Sequence, residues 1–124
     1  MREIKFRARN AGLPRCWVYG YFVVKNGECL IVNEDGEFKV IAGTESQYTG
    51  MKDRNGKEIY EGDLLSWGEY LLVCKWQQDN CRYSLYNTKS GRWAGFLDKH
   101  MVRDIRVVGD IYENKELLEA DNVS

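Results

Sequence analysis

Strand-forming runs separated by two-residue turns fill residues 16–40, a pattern that leaves little alternative to an antiparallel sheet. Apart from one glycine, residues 17–24 are all aromatic or valine, and Asn26-Gly27 separates them from a second apolar run. An Asn-Gly pair between such runs is a strong hairpin signal, because a type I′ turn requires positive φ at both positions. Asp35-Gly36 repeats the signal. With an alternating strand near the N-terminus, residues 1–45 are predicted to form an N-terminal antiparallel β-meander.

Residues 46–124 are predicted to form a second β unit. It begins with a polar, glycine-rich connection, and five short apolar runs follow at residues 63–67, 70–76, 82–86, 92–97 and 103–108. Strands this short and closely spaced indicate a small, partly open SH3-like β-barrel. Asn114 can cap a short C-terminal helix through residue 120. The predicted class is therefore all-β with a minor α component, and the two segments are expected to form one compact unit.

Composition restricts the classes of partner. The chain has 124 residues, of which 44% are hydrophobic, and a formal net charge of −1. Such a chain can bury a core and has no general attraction to nucleic acid or to an anionic membrane. No apolar run approaches the ~20 residues of a membrane span, and the N-terminus lacks the apolar region of a signal peptide. We expect a cytoplasmic protein with no membrane partner.

The block QYTGMKDRNGKEIYEGD at residues 47–63 resembles the central signature of the YopX-like family of phage and prophage proteins. Residues 2–8 look like the opening strand of that family, and residues 107–118 look like its ending. The resemblance implies a small β-rich protein of phages, prophages and Gram-positive bacteria that has no established reaction and is associated with self-assembly. It implies no catalytic residue.

The signature block itself is interpreted as turn structure. Its glycines recur at Gly50, Gly56 and Gly62, but no P-loop lysine pattern accompanies them, so they indicate turns with positive φ. Nearby carboxylates could hold a metal or share a proton, but a glycine between Glu61 and Asp63 favours a turn in which Asp bonds its own backbone. The predicted structural residues are Tyr48, Gly50, Asp53, Asn55, Gly56, Tyr60, Gly62 and Asp63.

Catalytic and metal-binding candidates are few. The four cysteines include no C-x-x-C pair, so structural thiols are favoured over a zinc or redox site. His100 is the single histidine and lies in a polar context, which favours a surface position over a Cys–His pair. We therefore predict no catalytic residue, no cofactor and no metal, and a protein that is not an enzyme.

Aromatic and basic residues mark the predicted interaction surface. Rings are dense in the second unit and lie near Lys75, Arg82, Lys89 and Arg92, while the first strand is basic. The predicted contact residues are Arg2, Lys5, Arg7, Trp67, Tyr70, Trp76, Tyr83 and Trp93. The favoured function is that of an accessory protein that forms a homo-oligomer or docks a phage or host protein. The alternative is a single-stranded nucleic-acid-binding module that uses the basic first strand and the aromatic barrel face; the near-neutral charge favours the first.

Overall fold

The structure, a computed structural model, describes residues 3–114. The chain divides into two compact units, Met1–Tyr48 and Thr49–Ser124. The described strands are β1 Phe6–Arg9, β2 Trp17–Lys25, β3 Glu28–Asn33, β4 Gly36–Lys39, β5 Ser46–Lys52, β6 Glu58–Tyr60, β7 Asp63–Trp67, β8 Tyr70–Gln77, β9 Arg82–Asn87, β10 Trp93–Phe96 and β11 Arg106–Asp110. The described helical structure consists of the 3₁₀ turns Gln78–Asn80 and Met101–Arg103. The all-β class is confirmed, whereas the predicted C-terminal helix lies outside the described residues except for its cap, Asn114.

The first unit contains the strands β4-β3-β2-β1 and the start of β5, in that order, of a six-stranded sheet. The predicted hairpin turn is present, since Asn26 and Gly27 have φ values of 53° and 79°. Ala8, Ile31 and Val40 form the buried centre of this unit. Phe6, Val18, Phe22 and Cys29 pack against that centre. Alternate residues of β1 and β2 therefore enter the core, and the intervening residues lie on the opposite side of the sheet.

The second unit contains an antiparallel sheet with the strand order β10-β9-β8-β7-β11. Four consecutive strands form a meander, and the fifth returns to lie beside the first, which is the partly open, SH3-like arrangement that the short runs predict. The core of this unit comprises Ile59, Leu65, Leu72, Cys74, Tyr83, Leu85, Leu97 and Ile105. Between residues 3 and 114, no helix is both long and apolar enough to cross a membrane.

Candidate interaction surfaces

Asp53 of the signature block accepts hydrogen bonds from three backbone N–H groups in two segments of the chain. Its Oδ1 atom accepts hydrogen bonds from the backbone N–H groups of Asn55 and Lys57, each at 2.9 Å. Its Oδ2 atom accepts a hydrogen bond from the backbone N–H of Val107 at 2.7 Å. Asp53 is buried, and Gly56 follows with a φ of 82°. The carboxylate thus closes the tight turn at residues 53–57 and ties that turn to β11.

The end of the signature block has a comparable structural role. Asp63 is buried and accepts a hydrogen bond from the backbone N–H of Tyr60 at 2.8 Å, as expected of an Asp that follows a turn. Gly62 has a φ of 91° and a backbone O that accepts a hydrogen bond from the backbone N–H of Ile111. A Cβ atom at Gly62 would lie 3.5 Å from both Ile111 and Tyr112. Tyr48 and Tyr60 are buried, whereas Gly50 and Asn55 are exposed.

Three of the predicted contact residues come together in the second unit. Trp67 and Tyr70 flank the β7–β8 turn with ring centroids 6.0 Å apart. Both rings, with Trp93 at the start of β10, line a cavity of about 370 Å³. The exposed fractions of Trp67, Tyr70 and Trp93 are 36%, 50% and 51%. Leu72, Asn87, Ser90, Arg92 and Ala94 complete the lining. We call this feature the aromatic cleft.

Local hydrogen bonds hold one wall of the aromatic cleft in place. The backbone N–H of Asn87 donates to the backbone O of Arg92, and the backbone N–H of Gly91 donates to the backbone O of Asn87, each at 2.8 Å. The Asn87 Oδ1 atom also accepts hydrogen bonds from the backbone N–H groups of Lys89 and Ser90. This closed turn presents Arg92 and Trp93 from a defined position.

A ring contact fixes Trp93 further. Its ring meets the ring of Phe96 edge-on at a centroid distance of 5.0 Å. The Arg82 guanidinium lies 3.8 Å from the centroid of the Phe96 ring. A contact ring that is held by its neighbours loses little conformational entropy on binding.

The other predicted contact residues lie elsewhere. Trp76 is 41% exposed and packs edge-on over Tyr83, which is buried in the core. Arg7 is also buried, and its Nε atom donates a hydrogen bond to Ser46 Oγ at 3.2 Å. Tyr83 and Arg7 are therefore buried, and neither is available as an open contact. Lys5 is partly exposed, and Arg2 lies outside the described residues.

A larger cavity of about 580 Å³ lies along β8 and β9 in the second unit. Its lining includes Val73, Tyr86 and Ile111, with Lys75 and the exposed ring of Trp76. Of the residues predicted to make contacts, this cavity gathers Trp76 alone. It therefore does not bring the sequence-predicted rings together as the aromatic cleft does.

The cysteines and the histidine are spread over the chain. All four cysteines are unpaired; Cys16 and Cys81 are exposed, Cys29 is partly buried and Cys74 lies in the core. Burial raises the pKa of the Cys74 thiol far above its ordinary value, with Asp63 and Glu61 adding to the effect. His100 is exposed beside the 3₁₀ turn at residues 101–103. Among residues 3–114, no group of three or more His, Cys, Asp and Glu side chains has a metal-binding arrangement.

Asp98 precedes the same 3₁₀ turn and accepts hydrogen bonds from the backbone N–H groups of Met101 and His100 at 2.8 and 3.0 Å. The hydrogen bond from Met101 is the main cause of the lowered pKa of this carboxyl. Backbone N–H groups that donate to a carboxylate stabilise its charged form. The same two hydrogen bonds attach the Asp98 side chain to the start of the 3₁₀ turn.

Comparison with protein-family models identified a matching family. The family model described as YopX protein matches residues 21–119, which include the whole signature block and the aromatic cleft. The chain belongs to the YopX family. The YopX match begins within β2, so the opening block at residues 2–8 lies outside the matched range. Comparison with curated proteins gave no match.

Proposed function

We propose that this YopX-family chain is a non-enzymatic phage or prophage accessory protein that docks a polypeptide in the aromatic cleft, in the first instance another copy of itself. The observation that carries the proposal is the convergence of Trp67, Tyr70 and Trp93, all substantially exposed, around one cavity with Arg92 beside them. Trp, Tyr and Arg are the residue types that contribute most to binding at protein interfaces.

The lining of the cleft indicates what the docked segment should carry. The tilted pair formed by Trp67 and Tyr70 suits an apolar or aromatic side chain, because rings bury a large area when covered. The Arg92 guanidinium suits a carboxylate on the same segment, since arginine pairs with carboxylates through two parallel hydrogen bonds. We therefore expect an extended segment with an apolar residue next to an acidic one.

Charge favours a polypeptide over nucleic acid at this site. Residues 49–114 contain ten Lys and Arg residues and ten Asp and Glu residues. A balanced unit lacks the excess of positive charge that supplies most of the affinity for a phosphate backbone. A protein partner requires no such excess, because aromatic area provides the main binding energy.

The non-enzymatic part of the proposal is supported by the side chains in the cleft. The described residues that line it include Asn, Ser and Arg but no histidine, cysteine or carboxylate to act as a general base. We also place the protein in the cytoplasm of the bacterial host. The support is its four unpaired cysteines, since a reducing compartment maintains thiols.

Light scattering after size exclusion at micromolar concentration tests self-docking. Wild type should elute as an oligomer, and Trp93→Ala should shift it towards monomer with a loss of affinity of at least about 30-fold, the size of an interface hot spot. Trp76→Ala is the matched control, because it removes another exposed tryptophan of the same unit that does not line the cleft. Circular dichroism should show the same strand content in all three proteins.

A clean monomer of wild type would rule out self-docking and leave a different protein as the partner. A pull-down from lysogenic or infected cells would then use the same three proteins as bait. A protein retained by wild type and Trp76→Ala but lost with Trp93→Ala supports the proposal. If no protein shows that dependence, the cleft is not a docking site and the proposed function is wrong.

A further inference from the structure

One side of the first unit carries cations and aromatic rings in alternating positions. Phe6, Ala8, Val18 and Phe22 enter the core of this unit. The alternation of β1 and β2 therefore turns the intervening side chains to the opposite side of the sheet. Register agrees, since Arg7 pairs with Tyr19 and Arg9 pairs with Trp17. We call this side the basic–aromatic face; it comprises Lys5, Arg7, Arg9, Trp17, Tyr19 and Tyr21.

Cation–π contacts organise the basic–aromatic face. The guanidinium carbons of Arg7 and Arg9 lie 4.1 and 5.3 Å from the Trp17 ring centroid. The Lys5 Nζ atom lies 5.3 Å from the Tyr48 ring centroid. Because the flanking rings restrain these long side chains, the positive charges occupy defined positions along β1.

Two tyrosines extend the face along β2 and reach solvent. The exposed fraction is 42% for Tyr19 and 67% for Tyr21. Alternate residues on a strand are about 6.6 Å apart. That spacing is close to twice the ~3.4 Å separation of stacked bases, so a base has room between successive rings.

Positive charge on this face is concentrated along β1. Among the residues of β1 and Ser46–Tyr48 on this side, none is acidic. Further along the sheet the face carries both signs of charge, because Glu28 pairs with Lys25 across the strands and a Glu37 carboxylate oxygen lies 3.9 Å from the Lys25 Nζ atom. The chain as a whole has a net charge of −1, so the positive charge is local to the β1 part of this face.

We propose that the basic–aromatic face binds single-stranded nucleic acid. Bases would stack against Tyr19 and Tyr21, and phosphates would pair with the partly exposed side chains of Lys5 and Arg9. Sequence-tolerant single-strand sites work in this way. A duplex keeps its bases stacked and offers nothing to the tyrosine rings. This inference concerns the first unit and does not depend on the aromatic cleft.

Fluorescence anisotropy tests the proposal with the full chain at 25–200 mM NaCl. The labelled probes are a 20-mer of dT, the matching 20-mer of rU and a 20-base-pair duplex. Wild type should bind both single strands more tightly than the duplex. Tyr21→Ser should weaken single-strand binding by roughly 5- to 100-fold, the effect of one lost stacking ring. Tyr21→Phe keeps the ring and should bind like wild type. Val24→Ser, exposed on the other side of β2, is the second control.

The salt dependence separates phosphate contacts from stacking. Arg9→Gln should reduce the slope of log K against log salt by about 0.7, the share of one phosphate contact on a single strand. Tyr21→Ser should leave that slope unchanged. No binding at 25 mM NaCl, equal binding by wild type, Tyr21→Ser and Arg9→Gln, or equally tight duplex binding would overturn the proposal. Capture of a protein that requires Tyr21 and survives nuclease treatment would assign the face to protein docking instead.

Discussion

Buried carboxylates of the second unit bind backbone groups. Asp53 accepts three backbone N–H bonds, and Asp110 accepts two, from Tyr112 and Glu113. A buried N–H without an acceptor costs about as much as a lost hydrogen bond, so each carboxylate stabilises the turn around it. The density of Asp and Gly in the signature block is thus explained by backbone geometry.

Removing the Asp53 carboxylate should destabilise the fold. Asp53→Ala leaves the N–H groups of Asn55, Lys57 and Val107 without their acceptor, and we expect a loss of at least about 2 kcal/mol in the free energy of unfolding. Urea denaturation measures this loss of unfolding free energy. Asp79→Ala, which removes an exposed carboxylate, should change the free energy by no more than about 0.5 kcal/mol. Equal midpoints for both variants would show that Asp53 has no such role.

The Cys74 thiol should make stability depend on alkaline pH. Burial raises its pKa in the folded state, so the unfolded chain releases this proton first as pH rises. The stabilisation is complete below the unfolded pKa of about 8.5 and declines above it, by roughly 2 kcal/mol at pH 10. Urea unfolding of wild type and Cys81→Ala should show this decline. Cys74→Ala should lack it, and parallel pH curves for all three proteins would contradict the prediction.

At the scale of elements, the turns determine where the rings go. The β7–β8 turn brings Trp67 opposite Tyr70, and the hydrogen-bonded turn at residues 87–92 brings Trp93 to the same cavity. In the first unit, β2 passes so close to β3 that a Cβ atom at Gly20 would lie 2.4 Å from the backbone O of Val32. Gly20 has a φ of 154°, which L side chains rarely adopt.

Substitution of Gly20 should therefore be costly. Gly20→Ala forces β2 away from β3, and we expect a loss of roughly 2–3 kcal/mol. Gly12→Ala is the matched control in the same unit, because its Cβ atom would lie 4.0 Å from the nearest side-chain atoms of Asn10. In thermal and urea unfolding, wild type and Gly12→Ala should have similar stability, and Gly20→Ala should be less stable than both. The opposite ranking would mean that β2 and β3 are not so closely packed.

At the scale of the whole molecule, the two units offer different binding chemistry. The second unit has balanced charge and an aromatic cleft, whereas one face of the first unit combines rings with the cations along β1. Trp17 belongs to the basic–aromatic face, Trp67 and Trp93 line the aromatic cleft, and Trp76 lines the larger cavity of the second unit. A near-zero net charge therefore conceals a local positive region.

A substitution in one of the two surfaces should leave binding at the other surface unchanged. Trp93→Ala should abolish polypeptide docking and leave oligonucleotide affinity within about twofold of wild type, because sites that share no partner residues have additive effects. Tyr21→Ser should show the reverse pattern. Light scattering or pull-down and anisotropy on the same protein preparations make the comparison. Loss of both activities in either variant would show that the two surfaces form one site.

Much of the architecture is encoded locally. The Asn26-Gly27 pair predicts its turn because few residues besides glycine and asparagine adopt positive φ, and alternation with strand propensity predicts the β class. The five runs after residue 62 correspond to β7–β11 with small differences at their ends. Glycines in the signature block predict its turns for the same steric reason.

The assembly of the surfaces required the tertiary structure. The alternation of side chains along a strand shows which of them lie on the same side of the sheet. Whether that side is buried depends on which distant segments pack over it. Tyr83 enters the core while its neighbour Trp76 remains exposed, and Arg7 is buried between Trp17 and Ser46. The sequence also provided no reason to join Tyr19 and Tyr21 to the basic first strand, because strand pairing, set by long-range hydrogen bonds, creates that neighbourhood. The residues themselves thus determined the class and the turns, and the pairing of strands decided which rings and charges face solvent together.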